Sequence, residues 1–346
     1  MREPLTVDGQ RSTAGNARRY LPMADAQGRA ITYLRISVTD RCNFRCLYCM
    51  PEHGLDWLPK AQILTYEEIA EIVRQLAPAG VRRLRITGGE PTIRPDLETL
   101  IRYVKAVPGI EDVALSTNGV KLVDRAASYR EAGLDRVNMS ADSLRPERIA
   151  AIARRNLGFD PIRALSAAEA AGLSPVKVNV VVMRGINDDE VEDLARLTLD
   201  HVWHVRFIEL MPVGELKDLE WQHVVPSAEV LERCDRALGG LSATAERPLG
   251  NGPADYYRAP GAAGTIGVIT PMTHTYCGNC NRVRLTADGR LRTCLFGTHE
   301  VNFRDPLRAG APLLPLFRQA LAEKPPEHHL LQMDNGGLAA LSQVGG

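Results

Sequence analysis

From residue 31 to about residue 240 the chain alternates short runs of period-two hydrophobicity with longer stretches whose apolar positions recur every three or four residues. The runs ITYLRISV (31–38), VRRLRIT (81–87), DVALST (112–117), DRVNMS (135–140), VKVNVVVM (176–183) and HVRFIEL (204–210) read as strands. Stretches near 65–79, 95–107, 121–132, 146–172 in two pieces, and 188–200 read as helices, with another over 226–238. Three of these starts carry capping signals: Thr65 with Glu68, Asp188, and Ser227. Six repeats of strand then helix predict a parallel α/β fold. They are too few for the complete eight-unit barrel, so an open barrel and a doubly wound sheet both satisfy the pattern.

One face of these strands is unusual. A parallel barrel normally fills its interior with branched apolar side chains. Here the period-two sets are Arg35 with Ser37, Arg83 with Arg85 and Thr87, Arg136 with Asn138 and Ser140, and Lys177 with Asn179. The other face carries Leu34, Ile36, Leu84, Ile86, Val137, Met139, Val178 and Val180, suited to lie under helices. The polar face then lines a basic lumen that suits an anionic ligand, unless individual charges sit at exposed strand ends.

Past residue 238 the alternation stops. Gly239 to Gly267 is rich in Gly, Ala and Pro and reads as an irregular connection, followed by an amphipathic helix near 311–323. Residues 1–30 are polar and aperiodic and read as a mobile leader. The domain reading is therefore leader 1–30, core 31–240, and a C-terminal region 241–346 packed on the core. At 346 residues the chain exceeds what one hydrophobic core usually organises. Its 42 basic and 42 acidic residues give zero formal charge, against a role in coating nucleic acid or an anionic membrane. The first 23 residues hold no continuous apolar segment and no run suits a membrane span, which predicts a cytoplasmic protein.

That location bears on the cysteines, because stable disulfides are rare in a reducing compartment. Six of the seven cysteines fall in two tight groups, which points to metal. Cys42, Cys46 and Cys49 are spaced C-x3-C-x2-C, directly after the first strand. Three thiolates suit an iron–sulfur cluster with one iron left open. Zinc with His53 as fourth ligand, or a redox-active thiol pair, are the alternatives. Cys277, Cys280 and Cys294 are spaced C-x2-C-x13-C, again one short of a closed site. Cys234, His274 and His299 are possible fourth ligands for a zinc staple. Cys234 nevertheless shares a helical register with Val230 and Leu231 and reads as a buried apolar residue. His201 and His204 lack a helical partner carboxylate and read as structural.

CNFRCLYC resembles the cluster loop of the radical S-adenosylmethionine superfamily, and TGGEP (87–91) resembles its glycine-rich cofactor segment. The further words LRISVTDRCNFRC, RITGGEP, STNG, VKVN, RFIELMP and CGNCNRVRLTADG, with the terminal Gly–Gly, resemble the GTP 3′,8-cyclases of molybdenum cofactor biosynthesis, over about residues 31–346. The resemblance implies an incomplete (βα)6 barrel of the radical-SAM type with a C-terminal cluster-binding extension. It implies two 4Fe–4S clusters, one on Cys42, Cys46 and Cys49, the other on Cys277, Cys280 and Cys294. The first would chelate S-adenosylmethionine and cleave it to a 5′-deoxyadenosyl radical. Tyr48, Gly89, Glu90, Ser140 and Met211 match the cofactor positions.

By the same resemblance Arg35, Arg85, Ser116, Lys177, Arg282, Val283 and Arg284 match the GTP-binding positions. Multiple guanidinium forks suit a triphosphate, and no P-loop motif occurs. The implied reaction removes the 3′ hydrogen of the GTP ribose and joins C3′ to C8, giving (8S)-3′,8-cyclo-7,8-dihydro-GTP. Gly345 and Gly346 match a terminal Gly–Gly that reaches into the active site. A homodimer, a flavodoxin- or ferredoxin-like low-potential electron donor, and a downstream cyclic pyranopterin monophosphate synthase complete what the family implies. The rivals are another radical enzyme with an auxiliary cluster, such as a peptide-modifying one, and a non-enzymatic metal-stapled scaffold.

Overall fold

The computed structural model describes residues 22–211, 220–250, 252–274, 276–297, 299–328 and 341. Six strands fall where the alternation places them: β1 (Tyr33–Ser37), β2 (Arg83–Thr87), β3 (Asp112–Thr117), β4 (Arg136–Ser140), β5 (Lys177–Val182) and β6 (His204–Glu209). Helices α1 (Tyr66–Leu76), α2 (Leu97–Lys105), α3 (Leu122–Glu131), the pair α4 (Pro146–Ala153) and α5 (Pro161–Ala170), and α6 (Val191–Asp200) connect them in order. Helix α7 (Ser227–Leu238) follows β6. The apolar strand face is the core: Leu34, Ile36, Leu84, Ile86, Val137, Met139, Val178 and Val180 are at most 1% exposed. Cys234 lies in the same core and is fully buried, as its helical register predicts.

The C-terminal region extends both edges of this sheet. Strands β7 (Ser242–Ala243), β8 (Asp255–Arg258) and β9 (Thr265–Ile269) lie beyond β6, with β9 parallel to it. Strands β10 (Arg282–Leu285), β11 (Arg290–Arg292) and β12 (Glu300–Asn302) lie beyond β1, with β10 parallel to it. The order β12-β11-β10-β1-β2-β3-β4-β5-β6-β9-β8-β7 keeps two free ends, so the barrel stays open. Helices α8 (Arg304–Arg308) and α9 (Leu314–Ala322) close the described C-terminal part.

Several expectations change. The stretch 239–267 supplies β7, β8 and most of β9 rather than an irregular connection. Its branched residues are few, and β9 forms because β6 offers it an edge with Ile266 and Val268 turned inward. Thr65 and Glu68 do form a reciprocal capping box. Asp188 instead accepts from the Gly185 N–H at 2.7 Å, and α6 begins three residues later without a side-chain cap. Ser227 is the first helical residue of α7 and donates its backbone N–H to Glu209.

The leader also shortens. Residues 22–30 fold as a hairpin, closed by a bridge between Ala24 and Ala30 and turned at Gly28 with φ +75°. It is tied to the first α/β unit by the Met23 N–H, which donates to the Ala79 carbonyl at 2.8 Å. Residues 1–21 lie outside the described residues. Among the described residues no helix is long and apolar enough to cross a membrane.

Candidate active site

The first cysteine loop leaves β1 at the carboxyl end of the sheet and is clamped by the loops around it. The N–H groups of Gly89 and Glu90 donate to the carbonyls of Thr39 and Arg41, both at 2.8 Å. Those of Arg45 and Leu47 donate to Ala153 and Ile152 at the end of α4, at 2.8 and 3.0 Å. Asn118, after β3, donates its side-chain amide to Asn43 at 2.8 Å. Gly89 is required here by the loop's own backbone: a Cβ would sit 2.3 Å from the Arg41 carbonyl oxygen.

No disulfide joins Cys42, Cys46 or Cys49. Burial, then Glu90, pushes the Cys42 thiol up to about 12, and burial, then Cys49, pushes the Cys46 thiol well above its usual range. Thiols raised in this way ionise together only around a strongly cationic centre. Among the described residues no three Cys, His, Asp or Glu side chains gather as a single bound ion requires. His53 is exposed and offers no fourth ligand. The donor set therefore fits an iron–sulfur cluster with an open iron.

Cys277 opens the turn before β10, Cys280 ends it, and Cys294 follows β11. None of the proposed fourth ligands joins them. His274 is exposed, His299 pairs with Glu323 at 2.6 Å, and Cys234 is in the core. Burial alone would raise the Cys280 thiol, but Arg282 and Lys324 bring it down to about 7. This triad, too, fits a cluster with an open position. Cys49 and Cys294 pack against the same small apolar group, formed by Met272, Phe296 and Leu341 with Met211. Cys42, Cys46 and Cys49 line one cavity, and Cys294 of the second group approaches it through this apolar group, whose Met211 and Leu341 line the same cavity.

Arginines line this cavity. Arg35 of β1 is in register with Arg85 of β2 on one side and Arg284 of β10 on the other. Arg282 and Arg206 complete the cationic lining. Burial, then Arg284 and Arg85, lowers the Arg35 guanidinium well below its usual range. Arg284 comes down to about 10 through burial and Arg282, and Arg85 to about 10 through burial. Crowded, desolvated guanidinium groups of this kind are complementary to a polyanion.

Tyr48, Gly89, Glu90, Ser116, Ser140 and Met211 all line this cavity. Glu90, however, already accepts hydrogen bonds from the Thr92 and Thr117 hydroxyls and the N–H groups of Thr92 and Asn118. It organises the cofactor-side loops. Two GTP-binding expectations are not in the lining. The Val283 side chain is fully buried in the apolar core, because it alternates with Arg282 and Arg284. Lys177 lies one register step below the cavity, and its Nζ donates to the carbonyls of Pro248 and Leu249 at 3.3 and 2.6 Å. Gly345 and Gly346 lie outside the described residues, but Leu341 lines the cavity and donates its N–H to the Cys49 carbonyl at 3.1 Å.

Sequence reasoning missed Arg206, Tyr33 and Asp142. Arg206 shares the lumen face of β6 and donates to Asn138 and Asn179 at 2.9 and 2.5 Å. The alternation that found Arg35 extends to it. Asp142 accepts from the Tyr48 hydroxyl at 2.7 Å and from the Val181 N–H at 2.8 Å, and burial raises it to about 6. It follows β4 in a loop, where periodicity gives no signal. His204 bonds Thr265 at 2.8 Å and His201 stacks on Trp203, so both histidines are structural.

Comparison with known proteins agrees with this geometry. Residues 36–198 match the radical SAM superfamily model, and residues 203–330 match the molybdenum cofactor synthesis C model. Among solved structures, Streptococcus suis SuiB bound to S-adenosylmethionine shares the fold, with TM-score 0.56 and 13% identity over 83% of this chain and 65% of that one. GTP 3′,8-cyclases of Pelotomaculum thermopropionicum and Heliobacterium modesticaldum are each 48% identical over 94% of this chain and the whole of theirs. That of Moorella thermoacetica is 46% identical over the same shares. Such identity along nearly the entire length, on a fold whose first cysteine triad opens onto an arginine-lined cavity, places the chain in the GTP 3′,8-cyclase family of radical S-adenosylmethionine enzymes.

Proposed function

We propose the following division of labour for the activity of this family, the cyclisation of GTP to 3′,8-cyclo-7,8-dihydro-GTP in molybdenum cofactor synthesis. Cys42, Cys46 and Cys49 hold one 4Fe–4S cluster, and Cys277, Cys280 and Cys294 hold the other. Loaded with these clusters and S-adenosylmethionine, the site supplies hydrogen abstraction driven by one-electron cleavage of the sulfonium. The chain's own residues do the rest by placement. Tyr48, Gly89, Ser140 and Met211 frame the cofactor, Asp142 fixes the Tyr48 ring through its hydroxyl, and Glu90 fixes the loops beneath.

The observation that carries the reading is the row Arg284–Arg35–Arg85, in register across three adjacent strands inside the cavity that the first triad lines. It suits the triphosphate, with Ser116 and Arg282 beside it. Lys177 joins the ligand only when it leaves the Pro248 and Leu249 carbonyls. Holding the ribose in one place gives most of the rate, since orientation is what an intramolecular ring closure needs. Equilibrium binding tests this: GTP affinity collapses when Arg35, Arg85 and Arg284 are replaced together, and unchanged affinity overturns the reading.

The remaining assignments rest on the family's chemistry. A flavodoxin- or ferredoxin-like donor supplies low-potential electrons, and cyclic pyranopterin monophosphate synthase consumes the product. The working form is a cytoplasmic homodimer. Gly345 and Gly346 reach the substrate, and the docking of Leu341 on the Cys49 carbonyl supports that direction for the tail. The core is taken as 31–240 and the second-cluster region as 241–346.

A further inference from the structure

Arg29 uses every donor it has. Its Nε donates to Asp25 Oδ2 at 2.6 Å. One terminal nitrogen donates to the carbonyls of Cys277 and Pro326, both at 2.8 Å. The other donates to Gln27 Oε1 at 3.0 Å and to the Pro325 carbonyl at 2.7 Å. Five N–H groups are the full capacity of a guanidinium. The pair is sealed from water, with the side chains of Arg29 and Asp25 7% and 0% exposed. Asp25 also accepts from the N–H groups of Gln27 and Arg29 at 3.0 and 2.9 Å, which closes the hairpin. A hairpin of this kind needs only the aspartate. The three main-chain carbonyls at the far end of Arg29 belong to segments about 250 and 300 positions away.

Lys324 mirrors it from the other end of the chain. Its Nζ donates to the carbonyls of Thr293 and Arg282, the latter at 3.2 Å, and lies 3.7 Å from Cys280 Sγ. Between them the two cations take the carbonyls of Cys277, of Arg282 two residues after Cys280, and of Thr293 just before Cys294. Lys324 also directly precedes Pro325 and Pro326, the residues Arg29 holds. Each cysteine-bearing stretch is therefore fixed by a buried cation from outside the α/β core.

We propose that Arg29 and Lys324 are positioning residues that set the second cysteine triad, so that the 22–30 hairpin is part of the second cluster's site. The inference rests on the reading of Cys277, Cys280 and Cys294 as cluster ligands. Carbonyls in these turns need donors once buried, and thiolates drawn together need positive charge nearby. Lysine does not replace Arg29, because an ammonium has three donors and no planar fork.

The test uses the full chain in two backgrounds, reconstituted anaerobically with iron and sulfide. Cys42→Ala/Cys46→Ala/Cys49→Ala leaves only the second triad, and Cys277→Ala/Cys280→Ala/Cys294→Ala only the first. Iron, sulfide and the electron paramagnetic resonance signal of the reduced protein are measured in each, with thermal unfolding alongside. In the first background Arg29→Ala is expected to lower retained iron about tenfold under chelator competition, as outer-shell changes do. Lys324→Met is expected to act in the same direction, and Arg29→Lys to fall between. In the second background iron and signal stay unchanged. Equal loss in both backgrounds overturns the proposal in favour of a general folding role, and no loss in either overturns it outright. If the first background binds no iron with Arg29 intact, the cluster reading itself fails and the inference falls with it.

Discussion

Arg35 stands beside Arg284 in register across the parallel β1–β10 pair, with both side chains turned into the cavity. Like charges directly opposite one another on neighbouring strands destabilise a sheet. A polyanion lying across them offsets that cost. Replacing Arg35 with Met is therefore expected to raise the thermal midpoint of the empty protein while GTP affinity falls. The affinity loss should be about tenfold to a hundredfold, the scale of one charge-assisted contact of about 1.5–3 kcal/mol. Scanning calorimetry with and without GTP reads both effects; a variant destabilised in the empty state contradicts the argument.

Lys177 gives a proton-linked prediction. Burial, then Arg206, Arg136 and Arg85, draws its amine down to about 5 from 10.5. At pH 7.5 it is neutral in the empty protein and becomes charged if a phosphate reaches it. GTP binding should then take up about one proton, and binding should weaken as pH rises. The unfolded chain binds this proton throughout the window from about 5 to 10.5, so stability of the empty protein rises with pH across it. Calorimetry in buffers of different ionisation enthalpy measures the uptake. Lys177→Met should abolish it, and equal uptake in the variant would exclude Lys177 as the source.

Gly89→Ala should empty the first cluster site and spare the second. A Cβ there meets the Arg41 carbonyl oxygen at 2.3 Å, a backbone atom that no rotamer can move aside, so the cysteine loop itself must move. Total iron is expected to fall by about half, with S-adenosylmethionine cleavage lost. Full iron in this variant would show that the loop tolerates the shift.

The seventh cysteine supplies the contrast. Cys234 is fully buried among apolar side chains of α7 and its neighbours, so Cys234→Ala should leave both clusters intact. It should cost roughly 1 kcal/mol for the small cavity it opens. Cys294→Ala, by comparison, should lose second-site iron. Iron and sulfide analysis with denaturant unfolding distinguishes the two.

What the sequence revealed follows the range of its signals. Period-two alternation located all six core strands and, among the cavity arginines, Arg35 and Arg85, because each residue's face is set by its own strand. The same rule reaches Arg206, which extends the pattern on β6. It does not reach Asp142 or Glu90, whose roles depend on loops brought together from separate strand ends. Lys177 and Val283 show a second limit. Matching a motif gives the position but not the conformation, and here Lys177 is held by carbonyls of residues 248 and 249. Arg29 was invisible for the same reason as Asp142: its partners are at the far end of the chain.

The central claim is that the cavity holds GTP with its ribose poised for loss of the 3′ hydrogen. The most direct measurement mixes anaerobically reconstituted protein, S-adenosylmethionine and dithionite with GTP deuterated at C3′, then reads the 5′-deoxyadenosine by mass spectrometry. The account predicts deuterium in the 5′-deoxyadenosine together with the cyclised nucleotide. Unlabelled 5′-deoxyadenosine formed alongside unchanged GTP would contradict it.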